Sequence, residues 1–121
     1  VPVLVPMEHV KVFLRVKPVT SGERKSESKE YISLENSQTI IVKPPMSNQS
    51  EKAVDQKIHQ FTFSQVFGPE TCQEEFFDGS MRQVVREFLE GSNHLIFTFG
   101  TTNSGKTYTF QGMSRNVFSL C

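Results

Sequence analysis

Apolar and polar positions alternate from His9 to Lys17. Val10, Val12, Leu14 and Val16 share one face, and Lys11, Phe13, Arg15 and Lys17 share the other. A period of two predicts a strand, and Pro18 ends it because proline lacks a backbone donor. Residues 20–30 contain no large apolar side chain before Tyr31 and predict a solvated loop. Tyr31-Ile32-Ser33-Leu34 and Thr39-Ile40-Ile41-Val42 flank Glu35-Asn36-Ser37-Gln38 and predict a small hairpin, closed by Lys43-Pro44-Pro45. Residues 46–60 are mostly polar and predict a long loop. Phe61, Phe63 and Phe67 then recur at even spacing, with Gln65 breaking the row, and predict a core strand end that Gly68-Pro69 stops.

The period then changes. Phe77, Met81, Val84, Val85 and Phe88 fall on one helical face. Thr71-Cys72-Gln73-Glu74 carries a T-x-x-E capping box at its start. Gly79 weakens such a helix by about 1 kcal/mol relative to alanine, and Gly91 supplies a stop. This helix reads as scaffold, with Glu74, Glu75 and Glu87 solvated. Leu95-Ile96-Phe97-Thr98-Phe99, within residues 93–100, predicts a strand buried on both faces of a parallel sheet. A helix that leads into a buried strand suggests α/β layering.

That strand runs into Gly100-Thr101-Thr102-Asn103-Ser104-Gly105-Lys106-Thr107, a G-x-x-x-x-G-K-T phosphate-binding loop. Two glycines permit the tight turn that points successive backbone N–H groups at phosphate oxygens. Lys106 places a point charge on the outer phosphates, and the Thr107 hydroxyl can hold Mg²⁺. A helix starting near Lys106 adds favourable dipole charge. Tyr108 lies just beyond, where an aromatic ring is suited to stacking on a base. Its alternative reading is a core aromatic on the first helical turn, and Arg15 can likewise be an exposed strand-end charge.

Composition narrows the partners. The chain has 121 residues, 36% hydrophobic and 21% charged, with thirteen basic and thirteen acidic residues. A formal charge of zero asks for neither nucleic acid nor an anionic membrane. No apolar run approaches the roughly 18 residues that span a bilayer. Cys72 and Cys121 form no metal spacing and suit a reducing cytosol. His9, His59 and His94 are scattered and read as structural or surface residues. Val1 in place of a starting methionine leads us to expect a piece of a longer protein.

Several segments, in order, resemble the N-terminal part of a kinesin motor domain. They are Val12-Phe13-Leu14-Arg15-Val16-Lys17-Pro18, Phe61-Thr62-Phe63-Ser64-Gln65-Val66-Phe67, Gln73-Glu74-Glu75-Phe76-Phe77, Leu89-Glu90-Gly91-Ser92-Asn93, and Phe97 through the loop to Phe110. The Thr-Asn-Ser filling of the loop and the insert at residues 46–60 are most similar to the mitotic kinesin-like branch, of M-phase phosphoprotein and mitotic kinesin-like protein type. The resemblance implies an α/β, partial P-loop NTPase fold, with an incomplete central sheet and a small β-hairpin lobe. It divides the chain into an N-terminal extension (1–8), the front of the motor domain (9–112) and a divergent tail (113–121), expected to be a truncated or alternatively spliced end. It also implies roles. The backbone from Thr102 to Thr107 wraps the β-phosphate of ATP with Mg²⁺, Arg15 and Pro18 line the adenine pocket, and Tyr108 stacks on the base. The parent protein would be a motor on microtubules, in the cytoplasm and cytoskeleton, including the mitotic spindle.

Three positions depart from the family pattern: Lys17 replaces a second arginine, Ser64 an aspartate, and Thr101 a glutamine. Lysine lacks the planar guanidinium, so a stacked or forked contact is not expected at residue 17. Neither N-x-x-S-S-R-S-H nor D-L-A-G-S-E, the family's two switch segments, occurs in these residues. Hydrolysis needs groups that orient water and sense the γ-phosphate. The isolated chain is therefore expected to be non-catalytic, a weak ATP binder or a non-functional product, and prone to aggregate. A different P-loop enzyme, such as a small-molecule kinase or GTPase, is the alternative.

Overall fold

The computed structural model describes residues 10–19, 31–43 and 58–112. The expected extension at 1–8, the loop at 20–30, most of the insert at 46–60, the tail at 113–121 and Cys121 lie outside the described residues.

Strand β1 (Phe13–Arg15) pairs in parallel with β5 (Gln65–Phe67), in the register Phe13 to Gln65, Leu14 to Val66 and Arg15 to Phe67. The backbone N–H of Val16 extends the ladder to the Phe67 carbonyl at 2.9 Å. This two-stranded sheet is the incomplete central sheet. A second, antiparallel sheet has the order β2-β3-β4, from β2 (Ile32–Leu34), β3 (Thr39–Val42) and β4 (His59–Thr62). The hairpin forms where the pattern places it. Asn36 Oδ1 accepts the N–H groups of Gln38 at 2.8 Å and Thr39 at 2.9 Å, a side-chain turn typical of asparagine.

The phenylalanine run at 61–67 is not one core strand. It divides at Phe63 and Ser64 between the two sheets, β4 in one and β5 in the other. Ser64 sits where β1 begins: its N–H donates to the Val12 carbonyl at 2.8 Å, and its Oγ accepts the Val12 N–H at 3.0 Å. The Phe63 N–H goes instead to the Gln38 carbonyl at 2.8 Å in the hairpin turn. Phe61 is consequently exposed, whereas Phe67 is buried with Ile40 and Val66. The long polar loop also ends earlier than the pattern suggests, because β4 adds a third strand beginning at His59.

The amphipathic helix is two helices, α1 (Gln73–Ser80) and α2 (Arg82–Leu89), joined at Met81. Ser80 Oγ donates back to the Phe76 carbonyl four residues earlier, a bond that bends helices. The cap is Cys72, one residue later than expected: its Sγ accepts the Glu75 N–H at 3.5 Å, and Glu75 Oε2 accepts the Cys72 N–H at 3.0 Å. Gly79 has a packing cause. A Cβ there would lie 2.8 Å and 2.9 Å from Cε1 and Cζ of Phe67. The Phe67 ring is 5% exposed and packs edge-on against Phe76 at 4.8 Å between centroids.

Residues 93–100 form no strand. No neighbouring strand pairs with them among the described residues, and an extended segment with unpaired N–H and C=O groups has little to hold it. Beside it, among the described residues, α1 and α2 border a groove of ≈ 1950 Å³ lined by Val12, Phe77, Val84, Val85, Leu95 and Phe97. That is far larger than the roughly 300–1,000 Å³ of a small-molecule pocket; it is open apolar surface rather than a ligand cavity. No helix among the described residues is long and apolar enough to cross a membrane.

Candidate functional site

The loop at residues 100–105 leads into α3 (Lys106–Gln111). Three residues take positive φ, Gly100 at 155°, Asn103 at 65° and Gly105 at 98°, conformations that asparagine tolerates near 65° and glycine adopts freely. At Gly100 the φ of 155° disfavours any side chain, and a Cβ would lie 2.5 Å from Ser104 Oγ and 3.2 Å from Ser104 Cβ. The Ser104 N–H donates to the Thr101 carbonyl at 3.2 Å, and the Thr109 N–H to the Gly105 carbonyl at 2.9 Å. No acceptor among the described residues takes the N–H groups of Gly105, Lys106, Thr107 or Tyr108, as expected for a first helical turn.

Lys106 folds across the loop. Its Nζ donates to the carbonyls of Gly100 at 2.8 Å and Thr101 at 2.7 Å. The ammonium therefore already lies over the loop whose free N–H groups would meet an anion. Thr107 is exposed at the second position of α3. No group of three or more His, Cys, Asp or Glu side chains able to hold a metal occurs among the described residues. A cation at Thr107 would take most of its ligands from phosphate and water, which suits Mg²⁺.

Arg15 ends β1 and is half-buried. Its Nη1 donates to Gln73 Oε1 at 2.7 Å and to Thr109 Oγ1 at 3.4 Å, and its Nη2 to the Thr71 carbonyl at 3.4 Å. The guanidinium lies 4.8 Å from the centre of the Phe76 ring and 5.3 Å from that of Tyr108, within cation–π range. Arg15 is thus no free strand-end charge, and Tyr108 is no core aromatic, being 42% exposed. Two residues on, Lys17 Nζ donates to the Asn103 carbonyl at 3.2 Å. A single directed donor suffices for that contact, and a compact ammonium supplies it. Pro18 is exposed in the segment after β1. These contacts gather at the C-terminal ends of two parallel strands, where open α/β sheets place ligands.

Two participants were not legible as site residues. Gln73 donates through Nε2 to the Tyr108 and Thr109 carbonyls, each at 3.0 Å, while accepting from Arg15. In sequence it reads as part of a helix start. Thr109 likewise reads as an ordinary helical residue. No periodicity marks either one, since both partners are more than thirty residues away.

A glycine loop closed by lysine and threonine at the start of a helix, tied through Arg15 to the end of a parallel strand, defines a P-loop NTPase-type α/β protein. The model of the kinesin motor domain matches residues 15–118. The chain is 45% identical over 113 residues to kinesin-like protein KIF20B of Homo sapiens, covering 91% of this chain and 6% of that protein. It is 44% identical over 115 residues to kinesin-like protein KIF20A of Mus musculus, covering 91% of this chain and 13% of that protein. A solved structure of a fast kinesin superposes with a TM-score of 0.64 at 29% identity, over 82% of this chain and 25% of that one.

The chain belongs to the kinesin family, and corresponds to an N-terminal portion of the motor domain similar to the mitotic KIF20 branch. Family membership supports a cytoplasmic, cytoskeletal localisation. It also sets aside the small-molecule kinase and GTPase alternatives.

Proposed function

We propose that this chain is the ATP-binding front of a microtubule motor. The carrying observation is the convergence of Arg15, Lys17, Tyr108 and the loop at 100–107 at the C-terminal end of β1. In this reading the backbone N–H groups from Thr102 to Thr107 receive the β-phosphate. Lys106 exchanges its two carbonyl partners for phosphate oxygens, and Thr107 contributes its hydroxyl to Mg²⁺. The metal, once bound with ATP, neutralises phosphate charge. Tyr108, backed by Arg15, offers its open side to adenine, with Pro18 bordering the pocket. The solved fast kinesin is described by its ATPase mechanism and its interactions with microtubules. By kinship we extend both to the protein of which these residues form part, and place it at the mitotic spindle. The chain itself lacks both switch strings, so we assign it nucleotide binding without turnover.

Calorimetric titration with Mg-ATP tests the assignment. Binding should weaken at least about tenfold in Lys106→Ala, the scale of one lost charge-assisted contact. Unchanged affinity in that variant would sink the phosphate-cradle reading. Microtubule-stimulated phosphate release by the chain, abolished in Lys106→Ala, would overturn the claim that it does not turn ATP over.

A further inference from the structure

We propose that Gln73 is a positioning residue for the nucleotide base, acting through Arg15 and Tyr108 without touching the nucleotide. The inference rests on the ATP-binding reading above. Both ends of the Gln73 amide are used. Oε1 accepts from Arg15 Nη1 at 2.7 Å, and Nε2 donates to the carbonyls of Tyr108 and Thr109 at 3.0 Å each. Those carbonyls lie toward the C-terminal end of α3, where the Tyr108 carbonyl also accepts the Gly112 N–H at 2.9 Å. One side chain at the first position of α1 therefore fastens the end of β1 to α3.

The consequence concerns geometry. An arginine side chain has several freely rotating bonds, and fixing it costs conformational entropy. Gln73 and the Thr71 carbonyl hold this guanidinium between the Phe76 and Tyr108 rings. The same amide holds the Tyr108 backbone, so the cation and the ring it faces are set by one group. None of the Gln73 bonds reaches residues 100–106. Its loss should be felt at the base and not at the phosphates.

The test compares Mg-ATP with inorganic tripolyphosphate, which carries phosphates but no base, on the wild-type chain and its variants. Gln73→Ala should weaken ATP about tenfold, as for a lost hydrogen bond to a charged group, and leave tripolyphosphate within about twofold. The double variant Gln73→Ala with Arg15→Ala should lose no more ATP affinity than Arg15→Ala alone, because residues acting as one unit are not additive. If Gln73→Ala fails to fold by circular dichroism, Gln73→Met, which keeps the stem and removes the amide, is judged by the same criteria. Equal losses of ATP and tripolyphosphate, additive losses in the double variant, or an unchanged ATP-to-tripolyphosphate ratio would overturn the inference alone. A wild-type chain that binds neither ligand would overturn the ATP-binding reading, and this inference with it.

Discussion

Residues 61–67 and residues 95–99 are both short phenylalanine-rich runs with β-branched or hydroxyl neighbours, and they end in different states. The first is threaded into two sheets. Its Phe67 is buried against Phe13, Phe76 and the helix at Gly79. The second is no strand, with Leu95 87%, Phe97 77% and Phe99 96% exposed. Intrinsic preference for extended backbone is similar in the two, so preference does not decide between them. The difference is neighbours. Val66 donates to the Ser37 carbonyl at 2.7 Å, and Val16 to that of Phe67 at 2.9 Å. A strand is stabilised by the chains beside it and by packing against its faces.

The strongest way to break this comparison is to truncate one ring in each run. Phe67→Ala should cost about 3–5 kcal/mol, the range for removing a buried aromatic ring, read as a lower midpoint in urea unfolding. Phe99→Ala should change stability by less than about 0.5 kcal/mol, as for a surface site. Equal shifts would mean that residues 95–99 are packed in solution, and the contrast would fail.

A second test separates helix propensity from packing within the ordered region. Taken alone, propensity says that Gly79→Ala stabilises α1 by about 1 kcal/mol. The Phe67 ring, buried and in contact with Phe13 and Phe76, has little room to retreat from a Cβ placed 2.8 Å away. Overpacking of this kind costs about 1–3 kcal/mol, so the net change should be destabilising in the same urea assay. A stabilised Gly79→Ala would show that α1 rides loosely over β5.

The smallest effect belongs to the helix cap. Glu75→Ala removes the carboxylate that accepts the Cys72 N–H at 3.0 Å. A loss of about 0.5–1 kcal/mol follows from capping energetics, measured by thermal unfolding followed at a helical wavelength. No change would place the start of α1 outside the cooperative unit that Phe67 anchors.

The sequence by itself determined the features whose causes are local. The hairpin follows from two β-rich runs around an asparagine turn, and the phosphate loop from its spaced glycines with Lys106 and Thr107. The helix start is fixed by a nearby acidic residue, although Cys72 with Glu75 replaced Thr71 with Glu74 as the capping pair. Arg15 and Tyr108 were legible as candidates, each with two readings. Tertiary structure added what neither context shows, by bringing Arg15 within 5.3 Å of the Tyr108 ring. It alone divided residues 61–67 between two sheets, broke the amphipathic helix at Met81, and made Gln73 the tie between β1, α1 and α3. The physical reason is the range of the interactions involved. Turn chemistry and loop backbone conformation act over a few residues, and a sequence displays them. Strand pairing, ring packing and the Gln73 amide bonds join residues tens of positions apart, and only the folded chain brings them together.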